Sequence, residues 1–209
     1  MQFETPFQQE LMSTNAAFGH QHPGVAPAPT SNRSNKNRLY IGFYHQRHQW
    51  DPSVRFRTAL LLAPKKPDIS SPQSWRYHIR DSFSSQGAIR WEYEGTQVNI
   101  VGDDPARRLV ALVFLTKLHQ EQASGVSLAL ALRNVEVDPH GGDGGAREWV
   151  WNAIRYLVEE GVIPPFPLRA QTIWQNGYQF AQDMEDCQDN KAPTCDIYGR
   201  KQKSTVPRG

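Results

Sequence analysis

Ile89-Arg90-Trp91-Glu92-Tyr93-Glu94 is the stretch on which the fold turns. Apolar and charged residues alternate singly, so Ile89, Trp91 and Tyr93 share one side of an extended chain and the charges share the other. A helix of about 3.6 residues per turn would scatter that pattern around its surface. The stretch therefore predicts a strand with one buried face. Upstream, Trp75-Arg76-Tyr77-His78-Ile79-Arg80 alternates in the same way. Leu39-Tyr40-Ile41-Gly42-Phe43-Tyr44 is dense in β-formers and predicts a buried strand. Val54–Ala63 predicts another, stopped by Pro64, and Gln97–Val101 one more short strand. The polar stretches His45–Pro52 and Lys65–Pro72 are expected as loops. Strands this close together predict an antiparallel meander.

Downstream the period changes. Pro105–Leu118 contains a buried run, Leu109 to Leu115, that suits strand or helix; its β-branched and aromatic content favours a strand. Ser124–Arg133 is expected as a helix and Val135-Glu136-Val137 as a short strand. His140–Gly145 is expected as a Gly-rich turn. Trp149, Val150, Ala153, Ile154, Leu157 and Val158 recur at helical spacing, with Gly161 as the stop. Pro164, Pro165 and Pro167 keep the chain after Gly161 from continuing as a helix. Thr172–Asp186 predicts a last helix with Ile173, Trp174, Gly177, Phe180, Ala181 and Met184 on its apolar side. The expected class is α+β, an antiparallel sheet followed by packed helices.

The 209 residues fit one domain with tails. A hydrophobic fraction of 38% and mean hydropathy of -0.63 are polar for a globular chain. Residues 1–37 are rich in Gln, Asn, Ser, Pro and Ala and are expected as a disordered tail. A single α+β domain is expected over 38–187, and a basic disordered tail over 188–209. Over 191–209 Lys191, Arg200, Lys201, Lys203 and Arg208 outweigh Asp196, so the net +2 of the chain belongs to its end. The folded part is then mildly acidic, which argues against nucleic acid as a partner. No apolar stretch is long enough to span a bilayer, and no secretory signal opens the chain. A cytoplasmic or nuclear protein is expected.

Few residues carry recognisable chemistry. Gly141-Gly142-Asp143-Gly144-Gly145 lacks the Lys and Ser/Thr of a phosphate loop and the strand context of a dinucleotide fingerprint. A plain connection is favoured there, with an anion site at the helix start as the alternative. The seven histidines do not cluster as metal ligands, and neither metal nor cofactor is expected. His78 stands out because it lies on a strand. Cys187 and Cys195 pair with each other or stay reduced in a mobile segment; the second is favoured.

Leu39–Tyr44, Ala59–Lys65, Arg76-Tyr77-His78, Trp91–Glu94, the apolar run to Leu118, and Glu148-Trp149-Val150 with Ala153 follow one another in an order that resembles a family of small fungal proteins of unknown function. The resemblance covers Arg38 to Asp186. That family is in turn similar to permuted papain-like domains of the lecithin:retinol acyltransferase type, with a histidine on an early strand and a cysteine at a helix start. A helix N-terminus lowers a thiol's pKa and an imidazole takes its proton, which yields a nucleophilic thiolate. In this chain the family's Tyr-His-Trp triplet falls on Phe56-Arg57-Thr58 and its Asn-Cys on Gly145-Ala146. Arg57 stays protonated at neutral pH and Ala146 has no nucleophile. Ser84, Ser85 and Ser124 offer no evident replacement.

The resemblance thus implies a papain-like domain without its Cys-His pair, non-catalytic or repurposed, that binds a small molecule or a partner protein. Arg57, His78, Ala146 and Trp149 are the residues expected at its pocket. The alternative is an accessory enzyme of fungal secondary metabolism, in which His78 works beside Trp75, Trp91 or Trp149 in an aromatic-lined pocket.

Overall fold

The computed structural model describes residues 36–45, 55–68, 71–83, 87–100, 108–118, 124–140 and 142–208. Residues 1–35, most of the 45–52 loop, Ser84 and Ser85 lie outside that set. Five long strands come first: β1 (Asn37–His45), β2 (Phe56–Pro64), β3 (Ser74–Phe83), β4 (Ile89–Val98) and β5 (Leu109–Leu118). Three helices follow, α1 (Gly125–Leu132), α2 (Gly142–Glu159) and α3 (Ala170–Asp183), then two short strands, β6 (Thr194–Cys195) and β7 (Lys201–Gln202). All seven strands form one sheet in the order β4-β3-β2-β1-β5-β6-β7. Every pairing is antiparallel except β5 with β6. The class is α+β, and the central run is a strand, β5.

Alternation along the strands sorts the sheet into two faces. Leu39, Ile41 and Phe43 of β1, Leu60 and Leu62 of β2, Tyr77 and Ile79 of β3 and Val113 of β5 join the helix residues Leu128, Trp149, Val150, Ile154, Ile173 and Trp174 in the main core. Tyr40, Leu61, Ala63, Leu109 and Leu112 turn the other way into a second core. Burial on both faces explains why β1 and β2 read as unbroken apolar runs. β4 is half-buried: Trp91 and Tyr93 are more enclosed than Arg90 and Glu92, whereas Ile89, expected on the same buried face, is 44% exposed at the strand's start.

The helices are fastened at a few points. Ser124 caps α1, its Oγ accepting from Ser127 N at 3.0 Å. Gly161, at φ 67°, closes α2 as expected, and Val162 N donates to Leu157 O at 2.9 Å. At Gly177, α3 touches the sheet: a Cβ there would stand 2.2 Å from Val113 Cγ2. Tyr77 and Tyr93 donate their hydroxyls to the carbonyls of Gly125 and Ala129, which docks α1 on β3 and β4.

Four expectations need correction. The 188–209 segment is not a disordered tail. Ala192 N donates to Val206 O, Arg208 N to Asn190 O and Leu112 N to Pro193 O, each at 2.9 or 3.0 Å. Ala192, Cys195 and Val206 are fully buried, and Ala192 and Val206 complete the second core. The folded unit therefore continues to Arg208 and does not stop at residue 187. Composition misleads here because three spaced small residues do the burying while Asp196 organises the turn, accepting from Tyr198 N, Arg200 N and Arg200 Nε.

Val135–Val137 is no strand: Val135 packs into the core without pairing. Gln97 and Val98 end β4 instead of starting a strand of their own. The glycines from Gly142 onward form the first turn of α2 instead of a turn before it. Both cysteines are free thiols, as favoured, but they sit in ordered structure. Burial pushes the Cys195 thiol up to about 12.

Candidate functional site

The sheet keeps the expected pocket residues apart. Trp149 is buried on the helix side, its ring 5.6 Å from that of Tyr93. Ala146 packs against the same core as the fifth residue of α2, inside the helix and not at its start. Trp75 and Trp91 pack on that side too. His78 lies between Tyr77 and Ile79 on β3 and so points to the opposite face. The sheet backbone separates it from every tryptophan expected to line its pocket. Arg57 ends on Asp81, Nη2 to Oδ1 at 3.0 Å, beside the end of a β2–β3 ladder of three Cα pairs, Leu60↔Tyr77 to Leu62↔Trp75.

His78 has partners of its own. It is the Cα partner of Glu94 on β4, and its Nε2 stands 3.0 Å from Glu94 Oε2. Arg80 Nε reaches the other carboxylate oxygen at 3.4 Å. The hydrogen bond from His78 drives Glu94 down to about 2, against the effect of burial and with help from the charges of His78, Arg80 and Arg76. Arg76 covers the ring of Tyr44 at 6.0 Å, and burial raises that phenol to about 12. This cluster orients an imidazole with a carboxylate, which is half of an acid–base site. Among the described residues no group of three His, Cys, Asp or Glu side chains is placed to hold a metal ion.

The same face carries a cavity that sequence reading missed. It has a volume of about 450 Å³ and lies where the C-terminal hairpin meets β1 and β5. The sheet contributes Arg38, Tyr40, Phe114 and Lys117; the hairpin contributes Thr194, Gln202, Lys203, Ser204 and Thr205. Arg38 and Lys117 are Cα partners across β1 and β5. Arg38 lies over the Phe114 ring at 5.7 Å and also bonds the Tyr40 hydroxyl, which offsets part of the rise that burial imposes on that phenol. Thr194 Oγ1 meets Ser204 Oγ at 3.0 Å, and the Thr205 hydroxyl donates to Lys65 O. Among the described residues no acidic one lines the cavity. Its only sequence signal was the basic C-terminal segment, whose charge is concentrated where a strand pair brings it back to the sheet.

A second cavity of about 430 Å³, lined by Trp151, Ile154, Arg155, Phe166 and Arg169, opens between α2 and the start of α3. Arg155 and Glu159, both on its wall, already approach each other at 3.7 Å, so its charges are partly matched.

No helix of the described residues is long and apolar enough to cross a membrane. Among curated proteins and among solved structures, nothing matches the chain. A family model does match, over residues 36–196, from the first strand to the C-terminal hairpin. The chain belongs to that family, a family of unknown function designated DUF6914.

Proposed function

We propose that the chain is a binding domain for a small molecule and not a catalyst, acting in the cytoplasm or nucleus. One observation carries this. A concave site on the second face, the cavity of Arg38, Lys117 and Lys203, gathers three cations, and among the described residues lining it there is no acidic residue and no nucleophile–base pair. Ligand sites are concave and combine apolar walls with a few convergent polar groups. Tyr40 and Phe114 supply the first, and the cations and hydroxyls the second. A kinship with permuted papain-like domains of fungi, their Cys-His pair lost, is part of the same proposal. Its support is the motif Glu148-Trp149-Val150 with Ala153, three of whose residues, Trp149, Val150 and Ala153, are buried where α2 meets the core.

Ligand-detected NMR on the full chain with a mixture of common metabolites tests it. Saturation transfer to one compound class without its conversion is expected. Conversion of a bound compound, abolished in His78→Ala, would overturn it in favour of the second reading. That reading is an acid–base enzyme built on His78, and what favours it is the 3.0 Å pairing of a buried imidazole with Glu94.

A further inference from the structure

Resting on the binding role just proposed, we infer that the cavity between β1, β5 and the C-terminal hairpin takes a small phosphomonoester. Its three cations come from three separate parts of the chain: Arg38 from β1, Lys117 from β5, and Lys203 from just beyond β7. Arg38 and Lys117 stand directly opposite each other on neighbouring strands, an arrangement that repels when nothing lies between them. Among the described residues no Asp or Glu lines the cavity, and none of the ion pairs engages Arg38, Lys117 or Lys203. Elsewhere on the same sheet Arg57 is matched by Asp81 and Arg80 by Glu94, while Arg76 and Arg90 have no ion pair among the described residues; in the cavity three such cations converge. The unmatched set therefore marks a place where an anion completes the electrostatics.

The donors select among anions. A carboxylate brings one negative charge and two acceptor oxygens. A phosphomonoester brings close to two charges at neutral pH and three acceptor oxygens, which suits three cations flanked by hydroxyls. Thr194 has one hydroxyl proton and two acceptors in reach, Ala192 O at 3.1 Å and Ser204 Oγ at 3.0 Å; a ligand oxygen near Ser204 favours the arrangement in which Thr194 donates to Ser204 and the Ser204 proton turns to the ligand. Arg38 is held against Phe114 and Tyr40, so its fork is ordered before a ligand arrives. A cavity of about 450 Å³ has room for a phosphate and a compact organic group. Because Lys203, Ser204 and Thr205 belong to the hairpin and the other cations to the sheet, the ligand bridges the two and tightens the hairpin on the sheet.

The test is isothermal titration of the full chain with inorganic phosphate, glycerol phosphate, acetate, and phosphatidylcholine vesicles doped with phosphatidic acid. Phosphate and glycerol phosphate are expected to bind, more weakly as salt rises, while acetate does not. The double variant Lys117→Gln/Lys203→Gln, both positions exposed, is expected to lose about tenfold or more in affinity, as for the loss of charged hydrogen bonds. Lys203→Arg should retain binding, and Lys191→Gln, outside the cavity, should match the parent chain. Unfolding midpoints of the variants check that the fold persists. Undiminished phosphate binding by the double variant, acetate binding as tightly, association with vesicles alone, or no phosphate binding at all would each overturn the inference. Binding of a different compound in the NMR mixture would leave the binding role standing while this inference fell.

Discussion

His78 and Glu94 face each other across β3 and β4 as Cα partners, with Nε2 and Oε2 3.0 Å apart. The pair holds Glu94 at about 2, below its ordinary 4.5. A carboxyl lowered by folding adds stability above its unfolded pKa and loses it as pH falls through the folded one. The contribution is thus complete above pH about 4.5 and is lost on descending toward about 2. Urea midpoints of the parent chain should fall across that window, and Glu94→Gln should flatten the fall by on the order of 1 kcal/mol. Identical pH profiles for the two proteins would show that the pair contributes nothing.

Ala146 is enclosed in α2, with Gly142 four positions before it. A thiol placed there lacks the free N–H groups of a helix start, which act only within the first turn. Ala146→Cys, alone or with Arg57→His, is expected to react slowly with iodoacetamide at neutral pH and to hydrolyse no thioester. Rapid alkylation or acyl-enzyme formation would mean that a nucleophile site is assembled at this position.

Val206 is 1% exposed and closes the second core beside Ala192. Val206→Ala should cost about 1–2 kcal/mol in urea unfolding, the range for removing buried methyl groups. Val206→Asp should also release the hairpin to proteolysis and abolish phosphate binding. Unchanged protease resistance in that variant would contradict the packing of the C-terminal segment.

Gly177 sits where α3 approaches β5 and β1, and an added Cβ would meet Val113 at 2.2 Å and Phe43 at 2.9 Å. Alanine normally favours a helix over glycine by about 1 kcal/mol. Overpacking reverses that sign, and Gly177→Ala should destabilise by about 1–3 kcal/mol. A stabilised variant, measured by urea unfolding, would show that the helix does not sit this close.

The strands β3 and β4 were legible from the alternation of Trp75 to Arg80 and of Ile89 to Glu94, although Ile89, at the start of β4, is exposed and not on a buried face. α2 was legible from its apolar repeat and from Gly161. The C-terminal hairpin was not, since its buried residues are few and its turn depends on one aspartate accepting three bonds. Nor was the cavity. Arg38 and Lys203 lie near opposite ends of the chain, and only the β5–β6–β7 pairing reunites them. His78 was singled out as a strand residue, but its true partner, Glu94, required the β3–β4 register. Its supposed tryptophan neighbours failed because residues of opposite parity on a strand point to opposite faces.

The most direct measurement is an amide NMR titration of the full chain with glycerol phosphate. Saturable shifts are predicted to concentrate at Arg38, Lys117, Thr194, Lys203, Ser204 and Thr205, around the cavity. Saturable shifts centred on His78 and Glu94, or none at the cavity residues, would contradict the assignment of the ligand site.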